Sequence, residues 1–155
     1  MNEKFRQFVE FLEPSYQRLM RMEPVSVLSL PGDVPRSGIY LFSEEGAHLY
    51  VGRTNRLRQR LQEHCRPSST HNSATFAFRL AREATGQIQA SYREEGSRSV
   101  LEQQPAFQEA FATAKNRVSQ MQVRFVGEPE PMRQALLEIY VSVCLGTPYN
   151  DFDNH

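Results

Sequence analysis

Tyr40 and Tyr50, the row Arg56, Arg60 and His64, and the carboxylate Glu138 are the residues whose types and spacing suit chemistry. Arg56, Arg60 and His64 stand four apart, so on a helix they share a face. A guanidinium fork grips phosphate oxygens two at a time, which lysine cannot do. Of the 18 basic residues, all but Lys4 and Lys115 are arginine. Between positions 53 and 98 stand nine basic residues and four acidic ones, although the whole chain balances at 18 against 18. That stretch reads either as an anion-binding surface or as an ordinary solvated one. Glu138 interrupts the nearly apolar run from Met132 to Cys144. A carboxylate there is costly unless it is paired or bound to a metal. The other reading makes Gln134, Glu138 and Ser142, four apart, a stripe that faces solvent.

These residues need elements to hold them. A chain of 155 residues is about one domain, and too short for two ordinary cores. No apolar run approaches the roughly 18–20 residues of a membrane span. Lys4, Arg6, Glu10 and Glu13 interrupt the apolar residues that a signal segment would need. Two cysteines, Cys65 and Cys144, are too few for a disulfide framework and too far apart to seed a zinc site, which favours a reducing, cytoplasmic location.

Residues 2–22 have helical apolar spacing, with Pro14 expected to split or kink the run. Residues 24–37 form a connector with room for a short strand at 26–30. Residues 38–43 and 47–53 alternate as strands around Glu44-Glu45-Gly46, a three-residue hairpin loop. Pairing about Glu45 sets Tyr40 opposite Tyr50, Leu41 opposite Leu49 and Ile39 opposite Val51. The apolar four then share one face of the hairpin and the two phenols the other. Thr54 or Asn55 caps a helix to about His64, with Leu57 and Leu61 inward. A polar loop at 67–73 leads to a helix over 74–85, stopped by Gly86. Residues 87–102 are ambiguous. A helix over 105–120 and a strand over 121–127 follow. The last helix starts at Pro131, ends at Gly146, and is apolar enough all round to be buried on most sides.

Gly38-Ile39-Tyr40, then Tyr50-Val51-Gly52, then Arg53, Leu57, Arg60 and His64, together resemble the GIY-YIG nuclease family. The second triplet carries Val where the family name has Ile. Glu138 and Asn150 fit the family's later glutamate and asparagine, and Pro148-Tyr149-Asn150 resembles its ending. The resemblance covers residues 36–64 and 121–151. It implies an α+β fold, a small three-stranded antiparallel sheet flanked by helices. The chain is then a single domain over 1–155, with an N-terminal extension (1–35) and a mainly helical insertion (66–120).

The resemblance further implies hydrolysis of nucleic-acid phosphodiesters with one divalent metal, Mg²⁺ or Mn²⁺. That reaction needs a deprotonated nucleophile and relief of charge on the phosphate and the leaving oxygen. Glu138 is a hard oxygen ligand suited to the metal. Tyr40 or Tyr50 orients or deprotonates the attacking water, Arg60 grips phosphate, and Arg53 holds Tyr40 or phosphate. His64 is a general base or a hydrogen-bonder, and Asn150 orients the site. Each also has a plainer reading as a strand aromatic, a surface arginine or a structural polar group. Arg56, Arg66, Arg79 and Arg82 are candidate nucleic-acid contacts; Arg93 and Arg98 add to the charge of the insertion. The expected substrate is DNA ahead of RNA, without a membrane, with targeting through the insertion, a homodimer or a partner. An inactive nucleic-acid-binding module and an RNA-directed nuclease are the alternatives.

Overall fold

The computed structural model describes residues 1–86 and 98–152. Arg93 and most of the ambiguous stretch 87–102 lie outside the described residues. The chain forms two units, one of Met1–Arg58 with Gln122–His155 and one of Gln59–Met121. The second begins earlier than the insertion expected at 66–120, within the helix that carries Arg60.

Four strands make the sheet of the first unit: β1 (Val25–Ser26), β2 (Gly38–Glu44), β3 (Ala47–Thr54) and β4 (Gln122–Gly127). Their order is β1-β4-β2-β3, every pair antiparallel. That is one strand more than the expected three. The addition is short because the chain leaves β1 for a 3₁₀ turn at Val27–Ser29, where Ser26 Oγ accepts the Leu28 N–H at 3.1 Å. The helices among the described residues are α1 (Glu3–Phe8), α2 (Leu12–Arg21), α3 (Leu57–Glu63), α4 (Thr75–Ala84), α5 (Arg98–Gln103), α6 (Pro105–Ser119) and α7 (Pro131–Leu145). None is long and apolar enough to cross a membrane. The N-terminal run breaks at a 3₁₀ turn, Val9–Phe11, rather than at Pro14. Pro14 falls in the first turn of α2, where a missing N–H costs little.

The hairpin corrects the expected register. Glu45 and Gly46 both have positive φ, 51° and 83°, which gives a two-residue turn of the kind that matches strand twist. Tyr40 therefore lies opposite Gly52, Leu41 opposite Val51 and Phe42 opposite Tyr50. A bulge follows: Ser43 pairs with His48, and Leu49 is the extra residue. The division of faces survives, because the shift at the triplets is two residues and side chains alternate with period two. Ile39, Leu41 and Val51 pack with Leu19 of α2, Val126 of β4, and Leu137 and Val141 of α7. Leu49 is buried but lies outside that cluster. Tyr40 and Phe42 turn to the other face and are buried there.

Helix α7 starts at Pro131, where the Glu130 carboxylate accepts the Arg133 N–H at 2.7 Å, and ends at left-handed Gly146. It is not buried on most sides. Met132, Ile139 and Val143 are exposed, Val143 to 76%. Gln134 and Ser142 are buried instead, at 2% and 8% exposure.

In the second unit α4 and α5 pack on α6. Phe76, Leu80, Leu101 and Val118 are buried there, with a cluster of Phe78, Phe107 and Phe111 whose rings lie 5.0–6.3 Å apart. Gly86, with φ 77°, follows α4 as expected.

Candidate active site

The two triplets owe their glycines to different neighbours. A Cβ on Gly38 would stand 2.0 Å from the Val126 carbonyl oxygen, so only glycine lets β2 lie this close to β4. A Cβ on Gly52 would stand 2.3 Å from the Tyr40 hydroxyl oxygen. The bare Cα of Gly52 is what lets the Tyr40 phenol extend across β3. Tyr40 is 1% exposed and Tyr50 half-buried. Their rings lie 6.4 Å apart, tilted by 48°.

Arg53 pairs with Ile39 in the sheet, so its side chain leaves from the face that carries α7. There its Nε lies 3.9 Å from Glu138 Oε1. The Glu138 side chain is 21% exposed. Burial raises its carboxyl pKa, and the Arg53 guanidinium pulls it partly back. The structure thus brings Tyr40 of β2 to Tyr50 and Glu138 of α7 to Arg53, with Tyr50 and Arg53 leaving opposite faces of the edge strand β3.

Asn150 joins them at that edge. Its Oδ1 accepts the Val51 N–H at 2.9 Å and its Nδ2 donates to the Val51 carbonyl at 2.7 Å. The Thr147 hydroxyl donates to Asn150 Oδ1 at 2.8 Å and lies 2.9 Å from Ser142 Oγ. One helical turn the other side of Glu138, Gln134 Nε2 donates to the Glu128 carbonyl at 2.7 Å and to Asn55 Oδ1 at 3.1 Å. The stripe Gln134–Glu138–Ser142 therefore faces inward, and the solvent-facing reading of it is wrong. The sequence marks Gln134 and Ser142 only as parts of that stripe and Asn55 only as a helix cap, and it does not mark Thr147. The signal was there, three polar residues at i, i+4 and i+8 in a helix otherwise apolar, but it fits either side of a helix equally.

The other candidates belong to the second unit, Arg56 excepted. Arg60 Nη1 donates to the Ser73 carbonyl at 2.6 Å, its Nη2 to Thr75 Oγ1 at 3.3 Å, and Glu63 lies 3.6 Å away. His64 is fully buried, and burial with the nearby Arg60 charge holds its pKa well below 6.5. Its ring is neutral at neutral pH. Arg56 and Arg66 are exposed and Arg79 is half-buried. Arg82 departs from the expected outward position: it is 4% exposed. Burial also pushes the Cys65 thiol up, away from the thiolate that nucleophilic chemistry needs.

Among the described residues no group of three or more His, Cys, Asp or Glu could hold a metal. Glu138 stands as a single carboxylate. That donor set fits Mg²⁺ or Mn²⁺, hard ions that keep water and substrate oxygens in their shell, and does not fit a structural zinc.

Residues 36–98 match the GIY-YIG catalytic domain. The match runs from just before the first triplet to the start of α5, taking in both tyrosines, Arg53, Arg60 and His64. No curated protein and no solved structure matches the chain significantly. The matched domain carries a nuclease-type function. Residues 36–98, with both glycine triplets built into one hairpin, thus support assignment to the GIY-YIG nuclease family.

Proposed function

We propose that this protein is a divalent-metal-dependent endonuclease that hydrolyses phosphodiester bonds of DNA. The observation that carries the reading is Glu138. Its neighbours on the inward stripe satisfy one another with hydrogen bonds, whereas its own carboxylate meets Arg53 at 3.9 Å, beyond hydrogen-bond reach. A carboxylate so placed is ready for a cation.

Glu138 would hold Mg²⁺ or Mn²⁺. When bound, the ion supplies charge stabilisation on the phosphate and on the leaving oxygen. The remaining chemistry belongs to the chain. Tyr40 and Tyr50 present phenols side by side, to orient the attacking water or to take its proton. A phenol titrates near pH 10 (approximate), so proton abstraction needs a cation beside it. Arg53 keeps the Glu138 carboxylate ionised and aimed. Arg60 has two donors committed to Ser73 and Thr75, and the rest of its fork is the phosphate grip. His64, buried and neutral, serves as a structural hydrogen-bonder rather than as a titrating base. Asn150 fixes β3 at Val51, between Tyr50 and Arg53. Arg56, Arg66 and Arg79 extend the phosphate contacts. The exposed free thiol of Cys144 suits a reducing compartment, the cytoplasm.

The test is nicking of a supercoiled plasmid with and without Mg²⁺, beside Glu138→Gln. The wild type should cleave only with the metal, and Glu138→Gln should fold normally and leave the plasmid intact. Unchanged cleavage by pure Glu138→Gln removes that residue from the site. DNA binding without cleavage by the wild type would make the chain a non-catalytic binding module. A panel of single- and double-stranded DNA and RNA decides the substrate.

A further inference from the structure

We infer that the helical unit holds a second site, for a phosphate oxyanion, made by the guanidinium groups of Arg82 and Arg98 over the ring of Phe78. This goes beyond the nuclease reading and stands whether or not the chain cleaves.

Arg82 lies on α4, a helix whose inward face is otherwise Phe78, Ala81 and their neighbours. All three of its guanidinium nitrogens are buried, with no hydrogen-bond partner among the described residues. Native proteins rarely leave a buried polar group unpaired, and an exception points to a missing ion or water. Neutralisation offers no escape, because arginine stays protonated in proteins. Burial and the nearby Arg98 charge both pull the Arg82 pKa down, as an uncompensated cation requires.

Arg98, the first residue of α5, brings the second charge. The guanidinium carbons of Arg82 and Arg98 lie 5.7 Å and 6.0 Å from the centroid of the same Phe78 ring. Attraction to the ring face offsets part of each charge but not their mutual repulsion. Lys115 of the same unit shows the ordinary solution. It sits 4.3 Å above Phe111 and also donates to the carbonyls of Pro67 and Ser69, at 2.7 Å and 2.9 Å. Among the described residues nothing equivalent meets Arg82.

Two guanidinium forks near one aromatic ring suit a tetrahedral phosphate oxyanion, whose oxygens accept paired N–H donors. That ring is rigid, since Phe78 packs on Phe107 and Phe111 at 5.0 Å and 5.5 Å. Access is from the side of Arg98, which is exposed while Arg82 is not. The phosphate can be a free one, as in a nucleotide, or one in a nucleic-acid backbone.

The experiment follows the melting temperature of the whole chain in phosphate, and in chloride and acetate at matched ionic strength, with calorimetric titration of inorganic phosphate. Wild type should show a saturable rise specific to phosphate. Arg82→Met should lose that rise while melting no lower than wild type in chloride, because it removes an unpaired buried charge. Should Arg82→Met not fold, the exposed Arg98→Met keeps the test open, and it should weaken phosphate binding about tenfold or more. A response to phosphate no larger than to acetate or chloride overturns the site, and so does an undiminished phosphate response in the variants. A metal-free duplex oligonucleotide then separates the sources. A backbone phosphate requires that inorganic phosphate compete with the duplex and that the variants bind it less tightly. A free phosphate leaves duplex affinity unchanged in the variants that lose the phosphate response.

Discussion

On α7 of the sheet unit, Gln134 and Ser142 are buried and have their hydrogen bonds. On α4 of the helical unit, Arg82 is equally buried and has none among the described residues. The first arrangement is finished. Every partner is another part of the same unit, so the polar atoms fix geometry around Glu138 and Asn150. The second leaves its guanidinium unsatisfied within the described chain. Under the two proposals the sheet unit does the chemistry and the helical unit grips phosphate.

The largest expected effect tests the chemical half of that contrast. Tyr40→Phe and Tyr50→Phe keep the rings and delete only the hydroxyls. Single-turnover cleavage should fall about 10²-fold in each if proton transfer is at stake, with DNA affinity and melting temperature nearly unchanged. Rates equal to wild type in both would leave the pair as packing residues and dissolve the contrast.

A smaller effect concerns stability. Gln134→Leu leaves the Glu128 carbonyl and Asn55 Oδ1 without their donor, and should cost about 1–3 kcal/mol in urea unfolding. Arg82→Met, by comparison, should cost nothing in phosphate-free buffer. Equal losses from the two substitutions would mean that Arg82 is as well compensated as Gln134.

The smallest effect is a slope with pH. The native state keeps His64 neutral, with a pKa well below 6.5, while the unfolded chain takes up its proton near 6.5. As pH falls below that value the unfolded state binds more protons than the native one, so stability is lost. The depressed native pKa means that this contribution is present above pH 6.5 and drains away on acidification. Melting temperatures between pH 7 and about pH 5 should therefore fall less steeply in His64→Gln than in wild type. Parallel profiles would exclude His64 from the acid response.

The hairpin triplets and most helix bounds were legible because each rests on a strong local rule, whereas the late glutamate and asparagine were read only through the family resemblance. Alternation put Ile39, Leu41 and Val51 on one face and Tyr40 on the other, a division that tolerates a two-residue slip. The slip itself was not legible. Whether Glu44 ends the strand or opens the turn depends on backbone torsions at Glu45 and Gly46, and the bulge at Leu49 has no marker in residue type. Orientation of α7 failed for a related reason. Apolar residues occur all round it, so counting them cannot tell that Val143 faces out while Gln134 and Ser142 face in. Arg82 was harder still. Helical spacing puts it in line with Phe78, yet an arginine on an amphipathic helix is expected outside.

The clasp of Asn150 on Val51 has a consequence for the fate of the protein at high concentration. An outer strand with open N–H and C=O groups is a template on which a neighbouring chain can add a strand, and so a seed for aggregation. On β3 the Val51 amide and carbonyl are both taken by the Asn150 side chain, and the Leu49 carbonyl by the Tyr149 N–H at 3.2 Å. The opposite edge is β1, only two residues long. The middle of β3 is therefore withheld from strand addition, and the Asn150 side chain that clasps it does the work a further strand would do.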